Sequence, residues 1–393
     1  MSTNRFLVGH TIARRCAPHL FSALIACALP VAILSGGRLL AIYLEKKTIH
    51  ATAPRDFFIK NQGLALERAA ACTSNVLLLY GSSELIDPVP NRASDFFSNA
   101  PTGFQVCPVG KAGTTSLVIL QKIGALGSDL RDRKVAVSLS ASWFFTHGVN
   151  PSAYAGNFSL PAASGLLFGD ALDFELKAEI ARRMSQFPDT LAKSALLQLA
   201  AKHLVSGRLS DRLVLTAIWP LGKLQNIVFD LQDHFETLVY ILAGINRNSR
   251  GDSQLDSLAK TSREAPPQGV IIEPLAAPGS DPDAAFRARI AAAREWTDLE
   301  LLFRTLNELG AKPLVLSMPI DVTRLRAQTI SPSTRRVYYD KVTELARRYH
   351  VPLVQFEDHD ADPSFLIARR EHPTPKGWMY YDRALDDFFH NNQ

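Results

Sequence analysis

The sequence predicts an α/β fold: a doubly wound, parallel, five-stranded sheet with a helical insertion and one N-terminal transmembrane helix. Three observations carry this expectation. Five apolar runs of about six residues stop at turn-forming or polar residues, as strands covered on both faces should. Helical patterns separate most of them. An uncharged stretch of 18 residues, 20–37, stands alone near the N-terminus.

The strands are expected at 75–80, 104–109, 134–139, 313–318 and 351–356. Helical patterns follow at 116–123, at 282–309 as one long helix or a broken pair, at 333–349 and at 376–390. Asp281 and Pro282 provide an N-cap and first-turn signal for the 282–309 segment. Between the third and fourth strands, 170–184, 191–205 and 211–245 read as helices of an insertion over 165–247. Residues 248–281, rich in Ser, Pro and Gly, read as a surface loop with a short extended stretch at 270–272. The expected organisation is therefore a tail and anchor at 1–47, an α/β domain formed by 48–164 and 282–393, and the insertion and loop between those halves.

The chain has 393 residues, 47% of them hydrophobic and 21% charged, which excludes wholesale disorder. Its formal charge of +5 invites a nucleic-acid partner, but the charge is localised. Arg5, Arg14, Arg15, Arg38, Lys46 and Lys47 face only Glu45 within residues 1–50, so the other 343 residues are balanced. That placement argues against nucleic acid and for orientation at a membrane. Residues 20–37 just suffice to span a bilayer. Arg14 and Arg15 favour a cytoplasmic N-terminus, with the domain outside the inner membrane. A cleaved signal peptide is the competing reading, opposed by the length of the apolar run and the lack of a nearby Ala-x-Ala site. Cys16 and Cys27 fall in or beside the anchor; Cys72 and Cys107 are expected as unpaired thiols.

Ligands of open α/β sheets bind beyond the C-terminal ends of the strands. Gly81-Ser82-Ser83-Glu84-Leu85 follows the first strand there and Gly110-Lys111-Ala112-Gly113 the second. Ser140-Ala141-Ser142-Trp143-Phe144 follows the third. A loop over 357–374, carrying Glu371 and His372, follows the fifth. A hydroxyl, a base and turn amides are the set that acyl transfer requires. Of ten histidines, His147, His359 and His372 lie at this edge, and His372 precedes Thr374 and Pro375, a favourable N-cap and N1 pair. Each feature also has a plainer reading: an ordinary turn for Gly81-Ser82-Ser83, a capping histidine, a core or cleft wall for Trp143 and Phe144. Asp358, Asp360 and Asp362 read as solvated carboxylates, and neither metal nor cofactor is expected.

Taken together, these blocks resemble the DltD family of teichoic-acid D-alanylation. The likeness rests on the N-terminal anchor, Gly81-Ser82-Ser83-Glu84-Leu85, Trp143-Phe144, Tyr154-x-x-Asn157-Phe158-Ser159 and His372-x-x-x-x-Gly377-Trp378-x-x-x-Asp382. It implies an SGNH-hydrolase-like sandwich of flavodoxin-like winding, with Ser83 as nucleophile and His372 as base. Ser83 and Gly113 would supply oxyanion N–H groups, with Ser82, Glu84, Trp143 and Phe144 around the cleft. Two positions depart from the family pattern. Its Pro-Gln-Trp-Phe block reads Ala141-Ser142-Trp143-Phe144 here, leaving Ser142 in place of the amide donor. Its Asp three residues before the histidine is Arg369, which leaves the orienting acid open among Glu371, Asp358 and Asp362.

The function implied is transfer of D-alanyl groups to a cell-envelope polymer. The implied partners are a membrane-bound O-acyltransferase and, as a further candidate, an acyl carrier protein. Two alternatives stand beside it: a membrane-anchored esterase or thioesterase with water as acceptor, and a non-catalytic scaffold binding a carrier protein or polymer.

Overall fold

A computed structural model describes residues 5–56, 63–145, 149–248, 281–321, 330–367 and 371–391. Its centre is a parallel sheet of β1 (Val76–Tyr80), β2 (Gln105–Val109), β3 (Lys134–Leu139), β4 (Lys312–Ser317) and β5 (Leu353–Gln355), in the order 2-1-3-4-5. Each strand falls on an expected apolar run. Register pairs Tyr80 with both Val109 and Val137, Leu139 with Ser317, and Ser317 with Gln355, so the C-terminal ends lie level.

Alternate side chains feed two cores because successive residues of a strand point to opposite faces. Leu78, Tyr80, Val135, Val137 and Val315 belong to the larger core; Leu77, Leu79, Ala136, Leu314 and Leu316 belong to the smaller. Full burial of each such aliphatic side chain contributes about 1.5–3 kcal/mol. This two-sided burial explains the continuous apolar runs and requires helices on both faces.

In chain order the helices begin with α1 (Arg5–Asp56), α2 (Ala65–Ala71), α3 (Ala93–Phe96) and α4 (Ser116–Leu126). Between β3 and β4 come α5 (Pro151–Asn157), α6 (Leu160–Phe168), α7 (Phe174–Met184), α8 (Pro188–Leu191), α9 (Ala195–Ser206) and α10 (Leu209–Asn248), then α11 (Pro282–Ala292) and α12 (Glu295–Leu309). The last two are α13 (Pro332–Arg348) and α14 (Pro375–His390). The segment expected as one helix or a pair over 282–309 is a pair, broken where Ala293 turns extended at ψ 122°. Asp281 caps its start by accepting the Asp283 N–H, with Pro282 in the first turn.

A bidentate pair of Arg183 and buried Asp298, 2.6 Å on each arm, ties α7 to α12. Glu295 reaches back to accept the Ser116 N–H at 2.9 Å, closing the N-terminus of α4. A buried Lys122–Glu67 pair joins α4 to α2 beneath Tyr80. Cys72 is exposed and Cys107 buried in β2; both are free thiols. The expected loop at 248–281, apart from its ends, lies outside the described residues, as do His147 and Arg369.

Within α1, Phe21–Thr52 is long and apolar enough to cross a membrane; residues 21–37 are exposed, while Ala41, Glu45 and Ile49 are buried against the domain.

Candidate active site

The order 2-1-3-4-5 makes β1 the switch strand, with the chain winding away from it in both directions, and open sheets of this kind take ligands beyond its C-terminal end. Ser82 and Ser83 stand there. Gly81 donates to the Val109 carbonyl at 3.1 Å, pinning the first turn to the second. Gly110 permits that closeness: at φ +152°, a Cβ on it would lie 2.0 Å from the Gly81 carbonyl oxygen. The Ser82 N–H donates to the Glu84 carboxylate at 2.9 Å, and its hydroxyl donates to the Lys111 carbonyl at 3.3 Å. Ser83 then opens a short 3-10 turn, Ser83–Leu85.

The second turn has its own brace. Thr114 donates from its hydroxyl to the Asn157 side chain at 3.0 Å, while the Asn157 amide donates to the carbonyls of Ala112 at 3.0 Å and Ala153 at 2.9 Å. Gly113 lies between these contacts at φ +82°, where a Cβ would press on Ala153 at 2.9 Å. The family-like block 154–159 therefore acts from below: Asn157 holds the Gly113 turn, and Ser159 caps α6 by accepting the Ala162 N–H.

His372 arrives from the far end of the chain. A two-residue antiparallel ribbon pairs Ile367 with His372 and Leu366 with Pro373. Thr374 then caps α14, accepting the Gly377 N–H at 3.2 Å, with Pro375 behind it. Held on both sides, the buried imidazole lies with Nε2 2.8 Å from Ser83 Oγ and Nδ1 2.8 Å from Asp87 Oδ2. Acid, imidazole and hydroxyl thus form one chain of hydrogen bonds across 289 residues of sequence.

Asp87 corrects the expectation for the carboxylate that meets the imidazole. Asp362 is engaged with Ser364 at 2.5 Å and Lys376 at 3.0 Å, Asp358 is exposed, and Glu371 accepts from Ser140 at 3.4 Å. Glu371 adjoins His372 in sequence, yet at φ +54° its backbone carries the side chain toward β3. Asp360 accepts the Ile320 N–H at 2.8 Å, so none of the three loop aspartates is the acid that meets the imidazole.

The remaining expected residues are also placed. Ser142 is buried beyond β3 with its hydroxyl 2.8 Å from that of Ser140, which links it in turn to Glu371, the residue beside His372. Phe144 is a correction: it is fully buried against Trp296, ring centroids 4.2 Å apart, and belongs to the core rather than to a cleft. Trp143, Ser82 and Glu84 are buried as well. Burial raises the Glu84 carboxyl above its ordinary pKa, opposed by the Ser82 N–H and the nearby His372. His359, the rival histidine, stacks on Phe365 at 4.6 Å.

Asp87 lies four residues after Ser83, just beyond the 3-10 turn Ser83–Leu85, so no helical periodicity marks it in the sequence.

Comparison with known proteins adds an independent line. The family model described as DltD protein matches residues 58–266 and 281–390. A protein named DltD from Bacillus subtilis (strain 168) is 26% identical over 343 residues, covering 84% of this chain and 86% of the relative. Another of that name from Staphylococcus aureus (strain NCTC 8325 / PS 47) is 20% identical over 314 residues, covering 78% and 79%.

Proposed function

Since the chain belongs to the DltD family, we propose that it is a membrane-anchored acyl-transfer protein that moves D-alanyl groups onto a cell-envelope polymer. The observation that carries this reading is the Asp87–His372–Ser83 chain, with both links at 2.8 Å.

In the proposed cycle Ser83 Oγ attacks the carbonyl carbon of a D-alanyl ester or thioester, and its proton passes to His372 Nε2. The negative charge on the carbonyl oxygen is met by the N–H groups of Ser83 and Gly113. Asp87 holds the imidazole by its Nδ1–H and balances the positive charge that develops on it. As the carbon–oxygen or carbon–sulfur bond breaks, the leaving group takes the proton, and D-alanine remains esterified to Ser83. A polymer hydroxyl then gives its proton to His372 and attacks the acyl carbon, and Ser83 Oγ leaves with that proton from His372.

The apolar segment Phe21–Thr52 serves as anchor, its N-terminus cytoplasmic, with the domain on the outer side of the inner membrane. A membrane-bound O-acyltransferase would deliver the acyl group, directly or through an acyl carrier protein.

Envelope D-alanine in a deletion strain complemented with Ser83→Ala tests the proposal. The expected result is the level of the uncomplemented strain. Restoration to the parental level would refute a catalytic Ser83. In vitro, acyl groups appearing on added polymer support transfer, and release to water alone would make the protein an esterase.

A further inference from the structure

Apart from four residues, every exposed large apolar side chain among the described residues lies on α1 or α10. On α1 this is expected of an anchor. On α10 it is not, because that helix contains Asp211, Arg212, Lys223, Asp230 and Asp233 and cannot be a membrane span.

The exposed residues of α10 include Leu213 (74% exposed), Leu221, Leu224, Ile227, Phe235 (67%) and Leu242. At 100° per residue they fall within a sector about 120° wide that runs about 44 Å along the helix. The opposite side holds Leu215, Asp233, Thr237 and Ile241, all buried. The helix therefore has one face against the protein and a second, fully apolar face against nothing described.

Its position identifies the occupant. Arg38 of α1 pairs with Asp230 at 2.6 Å, and Glu45 with His234 at 2.8 Å, so α10 is clamped to the end of the anchor nearest the domain. Beside that clamp a cavity of about 790 Å³ is lined by Val31 and Leu34 of α1 and by Ile227 of α10. The α10 stripe thus reaches the level of the segment read as membrane-embedded. Arg208 and Arg212, both exposed, stand at its first turn, where anionic headgroups would favour them.

We propose that the apolar stripe of α10 seats in the surface of the same bilayer that holds α1, giving the domain a second membrane contact and fixing its tilt above the lipid. This rests on reading α1 as the anchor. An isolated protein rarely leaves so long an apolar stripe in water, and a helix of this pattern binds at the lipid interface.

The test uses the full chain, with Cys16, Cys27 and Cys72 replaced by serine, in vesicles of phosphatidylethanolamine and phosphatidylglycerol. Single cysteines at Leu213, Leu221 or Ile227 carry an environment-sensitive fluorophore; Leu29→Cys reports on the anchor and Phe96→Cys on water. Variants are compared with the parent by circular dichroism melting. The expected result is blue-shifted emission at 213, 221 and 227, quenched by lipid-borne nitroxide as at 29 and shielded from iodide, with the reverse at 96. Lipid quenching at 29 with iodide quenching along α10 would overturn the second contact and leave the anchor standing. Iodide quenching at 29 itself would remove both. Shielding of α10 from both quenchers would mean that protein covers the stripe, and would overturn the inference.

Discussion

Replacing Asp87 by Asn probes the link that the sequence concealed. The substitution keeps the size of the side chain but removes the charge that faces an imidazolium 2.8 Å away. With charge centres about 4 Å apart and an effective dielectric near 20, that attraction is about 4 kcal/mol. Asn also fails to select the tautomer that leaves Nε2 free to accept the Ser83 proton. Loss of the same contact in serine hydrolases costs up to about 10,000-fold. We therefore expect acylation of Ser83 to fall by about 100- to 10,000-fold, equivalent to about 2.7–5.5 kcal/mol. The rate of labelling by a fluorophosphonate, followed by quenched time points, measures this directly. Glu371→Gln, made in parallel, should label at close to the parental rate. Parental labelling of Asp87→Asn together with loss in Glu371→Gln would refute the assignment and move the acid to Glu371.

Gly113→Ala should reduce acyl transfer by about 100- to 1,000-fold if its N–H stabilises the oxyanion, at a stability cost of about 1–3 kcal/mol for the strained backbone; parental kinetics would remove Gly113 from the site. Asp382, buried with neither carboxylate oxygen partnered, has its pKa pushed up by burial to about 8. Between its ordinary value of 3.8 and about 8 the native state holds the extra proton, so stability falls as pH rises through that window. The slope is at most about 1.4 kcal/mol per pH unit. Asp382→Asn should flatten it and raise the melting temperature at neutral pH, and an unchanged slope would count against a neutral carboxyl. His234 has the same pH sign through a different cause: burial works against its charge, but Asp230 and Glu45 outweigh burial and raise its pKa to about 9. The contribution of that clamp is complete below 6.5 and lost as pH rises through about 9. The denaturation midpoint in detergent should fall less steeply across that range in His234→Leu than in the parent.

Strands 1 to 4 were legible because each is covered on both faces and therefore continuously apolar; their ends lie within a residue of expectation. The fifth was expected over 351–356 but is only Leu353–Gln355, since Pro352 lacks a donor and the strand is a half-buried edge. Ser83 and His372 were legible because turn and cap chemistry fixes each to the same sheet edge. Asp87 was not, because its approach to His372 depends on a 3-10 turn after Ser83 and on a two-residue ribbon, Leu366–Ile367 with His372–Pro373, too short to show periodicity. The 211–245 pattern announced a helix, realised as Leu209–Asn248 with Pro220 inside it. That one of its faces is unpartnered depends on where α1 and α9 pack, which no pattern within the segment encodes.

The central claim is that Ser83 carries the acyl group, and the mass of that residue tests it most directly. The full chain, incubated with a fluorophosphonate and digested, should give one modified peptide, with the adduct on Ser83 and lost in both Ser83→Ala and His372→Ala. An adduct that persists in Ser83→Ala, or a wild-type chain that acquires none, would contradict the account.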